Sequence, residues 1–113
     1  MEIVHVTSDE DFKKQVEESK GPVIVDFWAT WCGPCKLMGT VIDSVKSNDE
    51  AGENKFKDVR IVKVDIDEAE ALATRFGIQA VPTFKAYKGG EEVAEVRGAM
   101  SKDQFKDFMN KAM

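Results

Sequence analysis

Hydrophobic positions along the chain form short runs that are separated by polar, glycine-containing segments. The run VIVDFW at residues 23–28 is almost continuously apolar, which is typical of a strand buried on both faces. Further strand-like runs occur at residues 3–6, 60–66, 83–87 and 92–97. Gly89 and Gly90 separate the last two runs and predict a hairpin turn. We therefore expect a sheet of about five strands with residues 23–28 at its centre.

Apolar residues at helical spacing predict two helices in the first half of the chain. Ser8 with Asp11 resembles a capping box that opens a helix over about residues 9–19. A second helix begins near residues 32–34, since proline suits a first helical turn. Its apolar positions are Leu37, Met38, Val41, Ile42 and Val45. The strand at residues 23–28 thus leads into a helix N-terminus that carries the sequence WCGPC.

Two more helices are expected in the second half of the chain. Asp67 with Glu70 predicts the cap of a helix that stops at Gly77. Ser101 and Gln104 resemble a capping box that opens an amphipathic last helix. The positions of this last helix that should face inward are Phe105, Phe108 and Met109.

The order of the elements, βαβαβαββα, predicts an α/β protein with a mixed sheet covered by helices on both faces. The polar segment from about Lys46 to Asp58 should form a solvated helix end and a loop without chemistry. A chain of 113 residues, of which 42% are hydrophobic, can fill one core. We expect one domain over residues 1–113.

The charge of the chain narrows the choice of function. Sixteen basic and 21 acidic residues give a net charge of -5, and the basic residues are scattered, so nucleic-acid binding is not expected. The N-terminal sequence MEIVHVTSDEDF has neither a basic leader nor a long apolar stretch. We therefore expect no secretion and no membrane insertion, and we place the protein in the reducing cytoplasm.

The two cysteines, Cys32 and Cys35, are the residues that most clearly predict chemistry. At positions i and i+3 of a helix they share one face, close enough to cycle between dithiol and disulfide. The N-terminus of a helix favours a thiolate at Cys32, which should attack a substrate disulfide. Cys35 should be less exposed and should resolve the mixed disulfide. Gly33 would let another backbone approach, and Pro34 would hold the turn.

Two other uses of this cysteine pair compete with redox chemistry. A structural zinc site normally needs four ligands, and this chain offers one CxxC and a single distant histidine, His5. Two ordinary buried thiols are the second alternative, although the Trp, Gly and Pro context at a strand-to-helix junction speaks against it. We expect no metal and no bound cofactor, only a redox-active disulfide between Cys32 and Cys35.

Two segments of the sequence resemble the thioredoxin family. VDFWATWCGPCK at residues 25–36 is similar to its active-site segment, and FGIQAVPTF at residues 76–84 to its facing loop. The resemblance covers nearly the whole chain. It implies the thioredoxin fold, in which a central mixed sheet is flanked by four helices, and a protein-disulfide reductase activity.

The resemblance also implies roles for residues outside the cysteine pair. Asp26 lies in an apolar strand, where desolvation should raise its pKa, and in the family this position assists the resolving cysteine, here Cys35. A structural hydrogen bond is the alternative for Asp26. Lys63 matches a lysine near that aspartate, although an ordinary surface lysine is nearly as common. Pro82 matches a proline whose preceding peptide bond is cis.

A substrate-binding rim is implied around the cysteines. Trp31 should form exposed apolar surface beside Cys32, whereas Trp28 should pack inside the fold. Other small or apolar positions match the rim against which a client segment lies, and ordinary packing is an equal alternative for them. These positions are Ala80, Val81, Gly98 and Ala99.

The partners follow from the resemblance alone. They are a thioredoxin reductase that recycles the oxidised protein and clients such as ribonucleotide reductase, peroxiredoxins and methionine sulfoxide reductases. We expect a monomer.

Two rival functions are a disulfide oxidase or isomerase and a docking module in which the cysteines are incidental. Gly39 and Thr40 stand where many family members have an Ala-Pro pair, so the bend of the helix should arise differently here.

Overall fold

The computed structural model describes residues 1–113 and contains a five-stranded sheet with helices on both of its faces. The strands are β1 (Glu2–His5), β2 (Val23–Trp28), β3 (Arg60–Asp65), β4 (Thr83–Lys88) and β5 (Glu91–Arg97). The helices are α1 (Asp9–Phe12), α2 (Gly33–Asn48), α3 (Glu70–Arg75) and α4 (Lys102–Asn110). π-Helical turns at Lys13–Glu17 and Asp49–Glu53 extend α1 and α2.

The strand order is β1-β3-β2-β4-β5, which places β2 at the centre. β2 runs parallel to β3 and antiparallel to β4, so the sheet is mixed. The first five residues of β2 are buried, as the nearly continuous apolar run predicted. The prediction of an α/β fold with a central mixed sheet is confirmed.

Two apolar clusters cover the two faces of the sheet. Between the sheet and helices α2 and α4 lies a cluster of 14 buried residues, which includes Met38, Ile42 and Phe105. On the opposite face, a cluster of 11 residues includes Phe12 from α1 and Leu72 from α3. Because β2 contributes residues to both clusters, its end is held rigidly where the active-site segment begins.

The capping signals of the first and last helices act as predicted. The Ser8 hydroxyl accepts a hydrogen bond from the Asp11 backbone N–H at the start of α1. At the start of α4, Ser101 and Gln104 form a reciprocal capping box. The inward positions of α4 are buried, as expected; they are Phe105, Phe108 and Met109.

The predicted cap of α3 is wrong. The N-cap residue is Ala69, which makes no side-chain capping bond. The Asp67 carboxylate instead accepts a hydrogen bond from the indole of Trp31, which is distant in sequence. A tertiary contact therefore competes successfully with the local capping pattern.

The segment after α2 is less solvated than its polar sequence predicted. The helix continues to Asn48 and then through the π-helical turn. Asp49 and Phe56 are buried, and the carboxylate of Asp49 accepts a hydrogen bond from the Phe56 backbone N–H at 3.4 Å. This contact closes the loop over the end of the core and has no connection to the cysteines.

Candidate active site

The two cysteines form a disulfide at the N-terminus of α2, with Cα atoms 5.2 Å apart. Cys32 is the N-cap residue, and its sulfur accepts a hydrogen bond from the Cys35 backbone N–H at 3.1 Å. The expectation that Cys35 is less exposed than Cys32 is wrong, because Cys32 is 5% and Cys35 6% exposed. Half-buried side chains, among them Trp28 and Val81, pack against the small cluster that the two cysteines form with Ala29.

The turn between the cysteines leaves one approach to Cys32 open. Gly33 and Pro34 are both exposed, and Pro34 lies in the first turn of α2. Apart from its chain neighbours and the backbone of its own helix, no atom lies within 4 Å of the place where a Cβ atom on Gly33 would stand. The turn at Gly33 is therefore sterically open on the side where a Cβ atom would lie.

The loop before β4 faces the sulfur of Cys32. The carbonyl oxygen of Val81 lies 3.6 Å from Cys32 Sγ, and the Val81–Pro82 peptide bond is cis. A disulfide sulfur carries no proton, so the approach is a contact in this oxidised state. After reduction, a Cys32 thiol could donate a weak hydrogen bond to the same oxygen.

Asp26 is a buried carboxyl group in the central strand. It is 2% exposed, and its Oδ1 atom has no hydrogen-bond partner. Burial raises the pKa of Asp26 to about 7, and the positive charge of Lys63 opposes this rise. At neutral pH the group can therefore both accept and release a proton.

Lys63 and Trp28 connect the surroundings of this carboxyl group with the cysteines. Lys63 pairs with Asp26 in the register of β2 and β3, and its ammonium group lies 4.7 Å from the centre of the Trp28 ring. Trp28, at the end of β2, packs against the cluster of Ala29, Cys32 and Cys35. The structure thus brings Lys63 near Asp26 and places its ammonium group over the ring of Trp28.

A groove of about 300 Å³ lies beside the cysteine pair. It is lined by Trp31, Ile66, Ile78, Gln79, Ala80 and Val81. Trp31 is 67% exposed, and its indole N–H donates to Asp67 Oδ2 at 3.0 Å, which fixes the ring as one wall. The groove is mainly apolar, because Gln79 is the one polar residue among those that line it.

Three residues of this groove region were not predicted from the sequence. Ile66 is the last residue of the predicted strand 60–66, and Ile78 and Gln79 belong to the segment FGIQAVPTF. The sequence therefore indicates both segments, but it does not indicate that these three side chains line a groove. Nothing in the sequence pattern pairs Asp67 with Trp31, because their hydrogen bond joins residues 36 positions apart.

Gly98 and Ala99 take different places from the other predicted rim residues. The Gly98 backbone N–H donates to the carbonyl oxygen of Pro82 at 2.8 Å, so it supports the loop that faces Cys32. Ala99 lines a second groove, of about 320 Å³, together with Phe108 and other residues of β5 and α4. The structure therefore does not bring Ala99 into the groove of Trp31 and Val81.

Several other features bear on the predicted chemistry. No group of three or more His, Cys, Asp or Glu side chains is arranged to hold a metal ion. No helix has the length and apolar character needed to cross a membrane.

α2 continues through Gly39 and Thr40, and the Thr40 hydroxyl donates to the Lys36 carbonyl oxygen at 3.4 Å. A larger, polar cavity of about 480 Å³ is lined by Pro22, Arg60 and neighbouring residues. It lies at the opposite end of β2 and β3 from the cysteines.

Comparison with known proteins gives a consistent result. The family model for thioredoxin matches residues 3–111. The chain is 37% identical to thioredoxin 1 of Synechococcus elongatus over 111 residues, which cover 98% of both proteins. It is 40% identical to the thioredoxin of Rickettsia felis over 106 residues, which cover 94% of this chain and 95% of that protein.

A solved structure agrees with these sequence matches. The reduced Schistosoma mansoni thioredoxin pre-protein superposes with a TM-score of 0.81 at 36% sequence identity, and the match covers 100% of both chains. In the present chain, this fold holds a cysteine pair one helical turn apart at the start of a helix. By sequence, by fold and by its cysteine pair, the chain belongs to the thioredoxin family of protein dithiol-disulfide oxidoreductases.

Proposed function

We propose that Cys32 is the attacking thiol and Cys35 the resolving thiol in the reduction of client disulfides by this protein. The observation that carries the proposal is the position of Cys32 as N-cap of α2, where its sulfur accepts the Cys35 backbone N–H. Unpaired N–H groups and the positive end of the helix stabilise a thiolate there. Cys35 is the third residue of α2 and is therefore not at the N-cap.

In the first step, the Cys32 thiolate attacks one sulfur of the client disulfide. A bond forms between Cys32 and that sulfur while the client S–S bond breaks, and the second client sulfur leaves as a thiolate that takes up a proton. The open side of Gly33 and the groove beside Trp31 provide room for the client segment. Ala80 and Val81 line the same groove as Trp31.

In the second step, Cys35 releases the client. The Cys35 thiol loses its proton, and the thiolate attacks Cys32, which forms the Cys32–Cys35 disulfide and expels the remaining client thiolate. The client thereby gains two electrons and the protein loses two. Since both cysteines are in one helix turn, this step is intramolecular and fast.

Asp26 is the proposed proton acceptor for Cys35. Its pKa of about 7, raised by burial, lets the carboxylate take a proton at neutral pH and release it later. Lys63 modulates this group, because its positive charge lowers the pKa that burial raises. Asp26 belongs to β2, and the last residue of this strand, Trp28, packs against the cluster of Ala29, Cys32 and Cys35.

Reduction of the disulfide requires an electron source outside this chain. We assign this role to a thioredoxin reductase, as the family implies, and we place the cycle in the cytoplasm, where a reducing environment favours the dithiol. Clients would be disulfide-containing enzymes such as ribonucleotide reductase, peroxiredoxins and methionine sulfoxide reductases. A net charge of -5 with scattered basic residues is compatible with protein partners rather than nucleic acids.

The test is turbidimetric reduction of insulin by dithiothreitol, with the wild type, Cys32→Ser and Cys35→Ser compared. The wild type should accelerate precipitation of the insulin chains, and both variants should lose the catalysed rate. A wild type no faster than dithiothreitol alone would contradict the proposal and favour a docking module. Activity retained in Cys32→Ser would contradict the assignment of the attacking thiol.

A further inference from the structure

A sulfur atom fixes the loop between β5 and α4 to the helix that carries the cysteines. The backbone N–H of Met100 donates a hydrogen bond to Sδ of Met38 at 3.1 Å. Met38 is completely buried, and Met100 is 7% exposed. Because water has no access to this contact, neither group can replace its partner with solvent.

Met38 belongs to the same face of α2 as the resolving cysteine. The buried residues of this helix are Cys35, Met38, Ile42 and Val45, which follow helical spacing. Met38 lies one turn beyond Cys35 and packs in the cluster between the sheet and α2 and α4. Its thioether is therefore attached to the rigid element that positions both cysteines.

The loop has a second attachment, to the segment that faces Cys32. Gly98 donates its N–H to the carbonyl oxygen of Pro82 at 2.8 Å. The carbonyl oxygen of the preceding residue, Val81, lies 3.6 Å from Cys32 Sγ. Contacts thus form a closed path from α2 through Met100 and Gly98 to Pro82 and back to Cys32.

We propose that Met38 is a positioning residue for client binding, because its thioether fixes the loop Gly98–Met100 that supports the segment of Val81 and Pro82 facing Cys32. The inference rests on the proposed function, since this segment is where a client would reach Cys32. An aliphatic residue at position 38 would fill the same space but leave the Met100 N–H without an acceptor. A buried N–H without a partner is unfavourable, so the loop would loosen.

Met38→Leu removes the acceptor and keeps the volume, a change that cores tolerate well. Ile42→Val is the matched control, because Ile42 lies one turn further on the same buried face and accepts no hydrogen bond. Hydrogen exchange of the Met100 amide, followed by NMR in the oxidised state, should be about fivefold to tenfold faster in Met38→Leu. The control should leave it unchanged.

Kinetics of insulin reduction test the consequence for clients. Met38→Leu should raise KM about threefold with kcat within about twofold of wild type, since binding and not chemistry is affected. The rate at which Cys32 reacts with iodoacetamide should not change. The proposal is overturned if the Met100 amide of Met38→Leu exchanges at the wild-type rate, or if Ile42→Val raises KM as much as Met38→Leu does. Met38 would then only fill space in the core.

The two measurements also separate this inference from the proposed function. If the wild type does not reduce insulin, the proposed function fails, and the exchange rate of Met100 still decides whether the thioether holds the loop. If the wild type is active and only the Met38→Leu results are negative, the inference alone fails.

Discussion

The carboxyl group of Asp26 shows how one buried side chain can make the stability of a protein depend on pH. In the folded protein the pKa of Asp26 is about 7, against 3.8 for the same group in water, because burial disfavours its charged form. Between these two values the folded state binds more protons than the unfolded state. Stability conferred by the neutral carboxyl is therefore lost as the pH rises from about 4 through about 7.

Asp26→Asn should remove this pH dependence. A difference of about three pKa units corresponds to about 4 kcal/mol of unfolding free energy between about pH 4 and pH 8. The free energy of unfolding of the wild type should fall by about this amount over that range, whereas that of the variant should change much less. At about pH 8 the variant should be the more stable protein. Urea unfolding of both oxidised proteins measures the difference.

The same substitution should slow catalysis, since the amide of the variant would not accept the proton of Cys35. Lys63→Met serves as a comparison, because it retains the carboxyl group and should raise its pKa further. Parallel stability curves for the wild type and Asp26→Asn would contradict the assignment of Asp26 as a group that titrates near neutrality.

Some properties of individual residues could be predicted from the sequence, and others could not. The spacing of Cys32 and Cys35 defines a redox pair because helix geometry alone places them on one face. Their similar burial could not be predicted, since it depends on Val81 and on other side chains that reach them through the fold. The same holds for the indole hydrogen bond between Trp31 and Asp67.

Among the secondary-structure elements, the hairpin of β4 and β5 depends on one glycine more than on its neighbour. Gly89 and Gly90 both have positive φ, at 60° and 83°. A Cβ atom on Gly90 would collide with the backbone carbonyl oxygen of Glu17, at the end of the π-helical turn, whereas one on Gly89 would meet no atom within 4 Å. The turn is therefore packed against another element at Gly90 alone.

Gly90→Ala should be much more destabilising than Gly89→Ala. Both variants place a side chain at positive φ, which costs about 1–2 kcal/mol. The collision with Glu17 should add about 2 kcal/mol or more in Gly90→Ala, because backbone must move. Thermal or urea unfolding of the two variants gives the comparison, and equal losses of stability would contradict the packing of this turn.

Most element types were predictable from local patterns, and the errors have tertiary causes. The buried strand β2 and the capping box of α4 are encoded by contiguous residues, and both were predicted correctly. The cap of α3 failed because Asp67 bonds to Trp31 instead. The segment after α2 contains the buried pair of Asp49 and Phe56, which no local pattern of hydrophobicity indicates.

At the scale of the complete fold, the two main apolar cores are formed without the disulfide. The two apolar clusters on opposite faces of the sheet contain 14 and 11 buried residues, and neither includes a cysteine. A disulfide between residues only three positions apart closes a very short loop. Its effect on the entropy of the unfolded chain is about 2 kcal/mol, small beside the contribution of the cores.

Reduction should therefore lower the stability of the protein by about 2 kcal/mol and leave the fold intact. Urea unfolding with and without a phosphine reductant measures this change, and far-UV circular dichroism should show the same secondary structure in both states. A reduced protein that loses its cooperative transition would contradict this view, because the cysteine pair would then be part of the structural core.

The central claim, that Cys32 attacks and Cys35 resolves, is tested most directly by trapping the mixed disulfide. Reduced Cys35→Ser and Cys32→Ser are each incubated with a disulfide-containing client, quenched with acid and examined by intact mass and peptide mapping. Cys35→Ser should accumulate one client molecule bound through Cys32, because no resolving thiol remains. A stable adduct on Cys35 in the Cys32→Ser variant, with none on Cys32 in its counterpart, would reverse the assigned roles.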